Sequence, residues 1–169
     1  MNAIIIIQLL VAFVIGIISL FIIYRAVNFF MSKYFGLKDK DNTSFTVFQM
    51  GIIIAGALIL STIIDPAINA IRILNPQGNF NISQVLTSLA YVGLFSLIGI
   101  VCTLVVIAAA LATIFQLTKI NEIEEMKNNK INASLIIVAL IIGLSLIIDN
   151  YCGQMCETLI PYPEVLQIR

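Results

Sequence analysis

The chain has 169 residues, nine acidic and nine basic side chains, 60% hydrophobic residues and only 11% charged ones, with a mean hydropathy of +1.07. Soluble domains carry roughly 25% charged residues, so a water-soluble fold of this size lacks the polar side chains to cover its surface. Zero net charge leaves no footprint for nucleic acid, and the absence of histidine removes the usual general base near neutral pH and the commonest transition-metal ligand.

A bilayer crossing needs about 20 apolar residues, and four runs meet or approach that length. The first spans about 3–30 and carries no charge before Arg25. It lacks a basic start and a small-residue cleavage site, so it reads as a retained span rather than a signal peptide. A connection bearing Lys33, Lys38 and Lys40 leads to Asn42. Asparagine is a good helix N-cap, and the second span follows at about 45–64.

That span ends Ile63-Ile64-Asp65 and is followed by Pro66. Proline suits the first position of a helix, and Asp65 would be its cap. The spacing predicts a short interfacial helix over 66–74, with Asn69 and Arg72 on its polar face. The alternative is that Asp65 and Arg72 line a polar path. The third span covers about 84–118 and is free of charge. Its helical pattern persists to about Glu125, with Leu117, Ile120 and Ile123 at a spacing of three. That extension either presents a stripe to a partner or is a short solvated helix with Glu122–Met126 on its surface.

The fourth span runs about 131–148 and opens with Asn132, a second candidate cap. The tail, 151–169, holds Cys152 and Cys156. A spacing of four on a regular helix sets β-carbons too far apart for a disulfide. A bridge therefore requires Gly153–Met155 to turn; free thiols or an interchain link are the alternatives. Cys102 reads as a small apolar filler. Two prolines two apart, Pro161 and Pro163, favour an extended segment beyond.

The runs are continuous rather than alternating, which predicts helices. Seven of the nine basic residues fall toward the end of span one, from Arg25 on, or in the connections after spans one and three, leaving Arg72 and Arg169 on the other side. Basic residues accumulate in cytoplasmic loops, so both termini are expected to face outward. The chain also resembles itself. NTSFTVF at 42–48 matches NASLIIV at 132–138, and IID recurs at 63–65 and 147–149. A repeat of two spans returns to its starting side, so the copies share one orientation. The expected organisation is an all-α membrane protein: a first helical hairpin over 1–74 and a second over 83–150. Gly51, Ala55 and Gly56, with Ala139 and Gly143, are small residues that let helices approach.

Tandem hairpins, each with an asparagine before its second helix, resemble the family built on domain of unknown function 350. YjfL-like bacterial inner-membrane proteins are among its members. DNTSFTVFQMG, with Asn42 and Gly51, is the closer match, and NNKINASLIIVALIIG, with Asn132 and Gly143, the looser. The acidic connection and the tail from Asp149 depart from the pattern. The resemblance implies topology, an accessory role in the inner membrane and no catalytic residue.

Two functional readings follow. One is a non-enzymatic module, without cofactor or metal, that oligomerises or scaffolds membrane partners. The other is a passive channel with Asp65 and Asp149 at its outer mouth and Asn42 and Asn132 framing an inner vestibule. An intramembrane enzyme is disfavoured, because Ser61, Ser88, Ser96 and Ser145 have no base nearby in sequence.

Overall fold

The computed structural model describes residues 2–37, 42–74, 82–117 and 121–160. Lys38, Lys40, Lys119, Asn81 and the Pro161–Pro163 segment lie outside them. The described residues form five helices: α1 (Asn2–Phe35), α2 (Thr43–Leu74), α3 (Ile82–Leu117), α4 (Glu122–Lys127) and α5 (Ile131–Thr158). Four of these, all but α4, are long and apolar enough to cross a membrane. In hydrocarbon a helix satisfies its own backbone, which is why such runs adopt this form.

Two boundaries differ from expectation. The helix over 66–74 is not separate: α2 continues through Pro66 to Leu74 as one helix of 32 residues. Asp65 is therefore not a cap. Proline costs a hydrogen bond inside a helix, but a membrane helix tolerates it where neighbours re-satisfy the freed carbonyl. Nor does α3 run on to Glu125. It ends at Leu117, and α4 is a distinct helix capped by Asn121, whose side chain accepts from the Glu124 amide. The surface assigned to Glu122–Met126 is partly interior, since Glu122, Ile123 and Met126 are buried.

Contacts fix the directions. Ser44 meets Ser134, Gly51 meets Val138, and the Thr62 hydroxyl donates to the Asp149 carbonyl at 2.9 Å. Residue numbers rise together along both helices, so α2 and α5 run parallel. They make the most extensive helix pair. The rings of Phe35 and Phe115 stack at one end of α1 and α3, and Ile15, Gly16, Val92 and Ser96 share a cleft toward the other. These two helices are also parallel. α3 packs on both α2 and α5, while α1 packs on α2 and α3. Among the described residues α1 makes no comparable packing on α5.

The core follows from these pairings. Phe45, Phe48, Ile52, Ala55 and Ile59 of α2, Phe95 and Val106 of α3, and Ile137 and Ile141 of α5 are essentially inaccessible. Small residues set the closest approaches. A Cβ at Gly51 would lie 2.5 Å from Val138, and one at Gly99 would lie 2.5 Å from Ile63. Ala139 and Gly143 behave otherwise. Both are exposed, and nothing lies within 4 Å of a Cβ built on Gly143. The helix-packing role expected for them is not fulfilled within this chain, because α5 turns that face away from α2 and α3.

Overpacking a filled interface costs about 1–3 kcal/mol. Gly51→Leu is expected to lower the thermal midpoint of the protein in detergent accordingly. Gly143→Leu, in open space within the chain, is expected to shift the stability of the monomeric chain by no more than about 0.5 kcal/mol. Circular dichroism melts of the two variants against the parent check the contrast.

Candidate functional site

The polar groups of the seam between α2 and α5 gather at its two ends. At the end where both helices begin, their first-turn amides need acceptors. Asn42 supplies one: its Oδ1 accepts from the Phe45 amide at 2.9 Å. Its Nδ2 donates to the Met126 carbonyl at 2.8 Å, which ties α2 to α4. The second acceptor comes from the other half of the chain. Oδ1 of Asn129 accepts from the Ser44 amide at 3.0 Å. Asn129 is the residue that turns the chain from α4 into α5, with a left-handed φ of 60° that asparagine tolerates better than most residues. The Ser44 hydroxyl donates to the Lys130 carbonyl at 2.9 Å and contacts the Ser134 hydroxyl.

Asn132 has no such place. The N-cap of α5 is Lys130, without a side-chain cap bond, and Asn132 lies exposed in the first turn. The pair of asparagines that frames this end is Asn42 and Asn129. The consecutive Asn128-Asn129 before the fourth span was the signal in the sequence. Glu122 is also buried nearby in the fold, on α4, and its Oε2 has no hydrogen-bond partner among the described residues. The Lys130–Glu125 ion pair, 2.8 Å, is exposed and contributes little.

At the opposite end the organising residue is Thr62. Pro66 has no amide hydrogen, so the Thr62 carbonyl four residues earlier lacks its helical donor. Gly153 of α5 packs against that carbonyl: a Cβ there would sit 2.9 Å from it. The Thr62 hydroxyl meanwhile bridges the Ile59 and Asp149 carbonyls at 2.9 Å each. Sequence reading missed both residues, although a proline inside an apolar run marks the carbonyl four residues back.

Asp65 follows Thr62 by three residues, about 4.5 Å along the axis, and is exposed. Asp149 is half-buried, and its Oδ1 accepts from the Asn150 amide at 2.6 Å. Asp149 is level with Thr62, so Asp65 stands most of a helical turn beyond it on the same end of the seam. Arg72 is exposed two turns farther along α2. α5 is regular through Thr158, so the tail from 151 is helical at first. Cys152 and Cys156 are free thiols on its buried face; Gly153–Met155 makes no turn to bring them together.

Between these ends the seam is lined mainly by apolar side chains. Hydroxyls at Thr103 and Ser145 are buried and close onto their own helices, donating to Gly99 and Ile141 carbonyls at 2.8 Å each. A side-chain pair missed from sequence joins α1 to α2, Gln49 Nε2 to Asn28 Oδ1 at 3.0 Å. A cavity of about 40 Å³ opens between α1, α2 and α3, walled by Ile15, Leu60, Ile64, Ile68 and Val92. It carries no ionisable group and includes neither aspartate.

Residues 1–151 match the model of a family described as Domain of Unknown Function (DUF350). The chain belongs to this family. The DUF350 match covers α1 through most of α5 and stops before Cys152. No curated protein and no solved structure matches the chain. Membership therefore brings the multi-pass helical architecture to the site and assigns no chemistry to it.

The asymmetry between the two asparagines is measurable. Asn42→Ala removes a cap and an interhelical bond, and is expected to cost about 1–2 kcal/mol. Asn132→Ala, at an exposed position, is expected to be near neutral. Reversible unfolding in mixed micelles reads both.

Proposed function

We propose that this DUF350 protein is a non-enzymatic module of the bacterial inner membrane that assembles with copies of itself or scaffolds other membrane proteins. The observation that carries this reading is the closed interior. Large side chains fill the bundle, and the buried Thr103 and Ser145 hydroxyls are consumed by their own helices. A single chain so packed offers no described route for an ion. Its remaining surface is broad and apolar. On α5, Ala139 and Gly143 are exposed, and on α3 Ala90, Gly93, Ala108 and Ala112 are exposed. Small residues at such positions permit close helix approach in lipid.

In this reading both termini are extracytoplasmic, because the basic residues concentrate in the two connections on the opposite side. The two hairpins derive from one repeat. The contact between Ser44 and Ser134 supports that, since equivalent positions of two copies meet at an axis between them.

The passive channel is the second reading. It is favoured by the placement of Asp65 and Asp149 toward the same end of the seam, and it requires several chains, because the interior of one is filled. Carboxylates ringing a pore would select cations.

Purification in mild detergent followed by native mass measurement is expected to give a multiple of 18.6 kDa or a stable complex with another membrane protein. A lone monomer under gentle extraction would sink the assembly reading. Planar-bilayer recordings are expected to show no current for the parent protein. A cation current reduced by Asp65→Asn or Asp149→Asn would instead establish the channel.

A further inference from the structure

Among the described residues α1 is the least buried of the four spanning helices, and it carries a charge inside its span. Arg25 lies within Phe13–Phe35, the stretch long and apolar enough to cross a membrane, and is exposed. Its depth follows from two contacts. Gln49 of α2 donates to Asn28 of α1 at 3.0 Å, and a Cβ at Gly56 would lie 3.0 Å from Leu20 and 3.4 Å from Ile23. Residue numbers fall along α1 as they rise along α2, so the two are antiparallel. Arg25 is one turn from Asn28 toward the Asp65 end, which sets it close to the level of Ile52. From there to Ser44 is about 12 Å along the axis. Ser44 belongs to the polar cluster of Asn42, Asn129 and Lys130 that marks one end of the seam, and Lys33 of α1 lies at the same level. A hydrocarbon core about 30 Å thick, measured from Ser44, reaches Ile64, just short of Asp65. Arg25 is therefore held about 12 Å inside hydrocarbon.

The chain supplies no counter-charge at that depth. Among the described residues Arg25 makes no ion pair or hydrogen bond. α1 and α3 contain no acidic residue, and those of α2 and α5 are Asp65, Asp149 and Glu157, toward the far end. A second copy in the same orientation brings the same set, so it cannot answer Arg25 either. A lipid phosphate fits poorly. Arg25, Phe29 and Lys33 share one row at a spacing of four. Lys33 stands at the interface, its Nζ 5.5 and 5.6 Å from the ring centroids of Phe29 and Tyr34, and is the first cation a headgroup meets. The Cα–Cβ bond of a helical residue tilts toward the helix N-terminus, which for Arg25 is away from that interface.

Ionisable groups within spans pair with one another and mark functional surfaces. Around Arg25 the exposed Ile18, Phe21, Ile22 and Phe29 recur at helical spacing and complete an apolar face with one cation in it. We propose that this face of α1 docks a transmembrane helix of a different membrane protein, one that carries a Glu or Asp about 12 Å inside the same interface and pairs it with Arg25. The inference rests on the scaffolding reading above and names the chemistry of the partner.

The test uses the full chain in phosphatidylcholine vesicles with a leucine-rich transmembrane peptide of about 21 residues, carrying one Glu about eight residues from one end. The control peptide has Leu at that position. Energy transfer between dyes on the N-termini of peptide and chain reports association. The Glu peptide is expected to bind tighter than the Leu peptide by about tenfold or more. Arg25→Leu, shown to be folded by circular dichroism, is expected to abolish the preference, Arg25→Lys to retain it and Lys33→Leu to leave it unchanged. Equal binding of the two peptides, or a preference that survives Arg25→Leu, overturns the proposal. So does an Arg25-dependent enrichment of phosphatidylglycerol around the chain without any peptide preference, which assigns Arg25 to a lipid phosphate. A stable complex with another membrane protein in native mass measurement, alongside equal binding of the peptides, leaves the scaffolding reading standing and removes Arg25 from it.

Discussion

Two helices lying side by side and pointing the same way pose the central physical problem of this fold. Parallel neighbours bring like partial charges together at each end, roughly half an elementary charge per terminus. Hydrocarbon screens such charges poorly. α2 and α5 nevertheless form the most extensive pair in the bundle. Two features offset the repulsion. Gly51 and Gly153 remove side chains where the backbones converge, so dispersion contacts are dense where a solvent-driven force is absent. At the twin N-termini, oxygen acceptors from Asn42 and Asn129 face the first amides of α2. The second of these is donated across the boundary between the halves of the chain, which makes the α4–α5 turn part of the α2 cap.

Proline acts at the other end of the same seam. Pro66 does not stop α2, and the reason lies outside its own segment. The carbonyl it frees on Thr62 faces Gly153 of α5, and the Thr62 hydroxyl crosses to Asp149. A local defect in one helix thereby becomes the point at which the next helix is held. In water such a carbonyl would find a solvent donor and the helix could end. In lipid no solvent donor competes for it, and Gly153 closes over it as α2 continues.

This separates what the sequence discloses from what it hides. Apolar length needs only one strand of information, so the four crossings and their helical form were legible, as was the cap by Asn42. The residues misassigned are those whose surroundings come from distant segments. Asn132 resembles Asn42 in local sequence, yet Lys130 and Asn129 occupy the turn it was expected to fill. Gly143 resembles Gly51, yet only Gly51 faces another helix. Helical phase places residues on a face; it does not say which face a neighbour covers.

The same asymmetry bears on assembly. α3 packs on both α2 and α5, but α1 packs on α2 and α3 and, among the described residues, leaves one side of α5 without comparable packing. Were the two hairpins related by a strict axis between α2 and α5, the contact of α3 with α2 would have a counterpart between α1 and α5. Among the described residues that counterpart is at most marginal, so the halves of the chain are alike in direction and unlike in packing. A module whose second half has surrendered one helix contact retains an apolar face with small residues on it, held rigid by the seam behind. In a bilayer such a face gains nothing from burial alone, because lipid is as apolar as leucine. It gains only from shape, and Ala139 and Gly143 give α5 a shape that another helix can approach more closely than an acyl chain can fill.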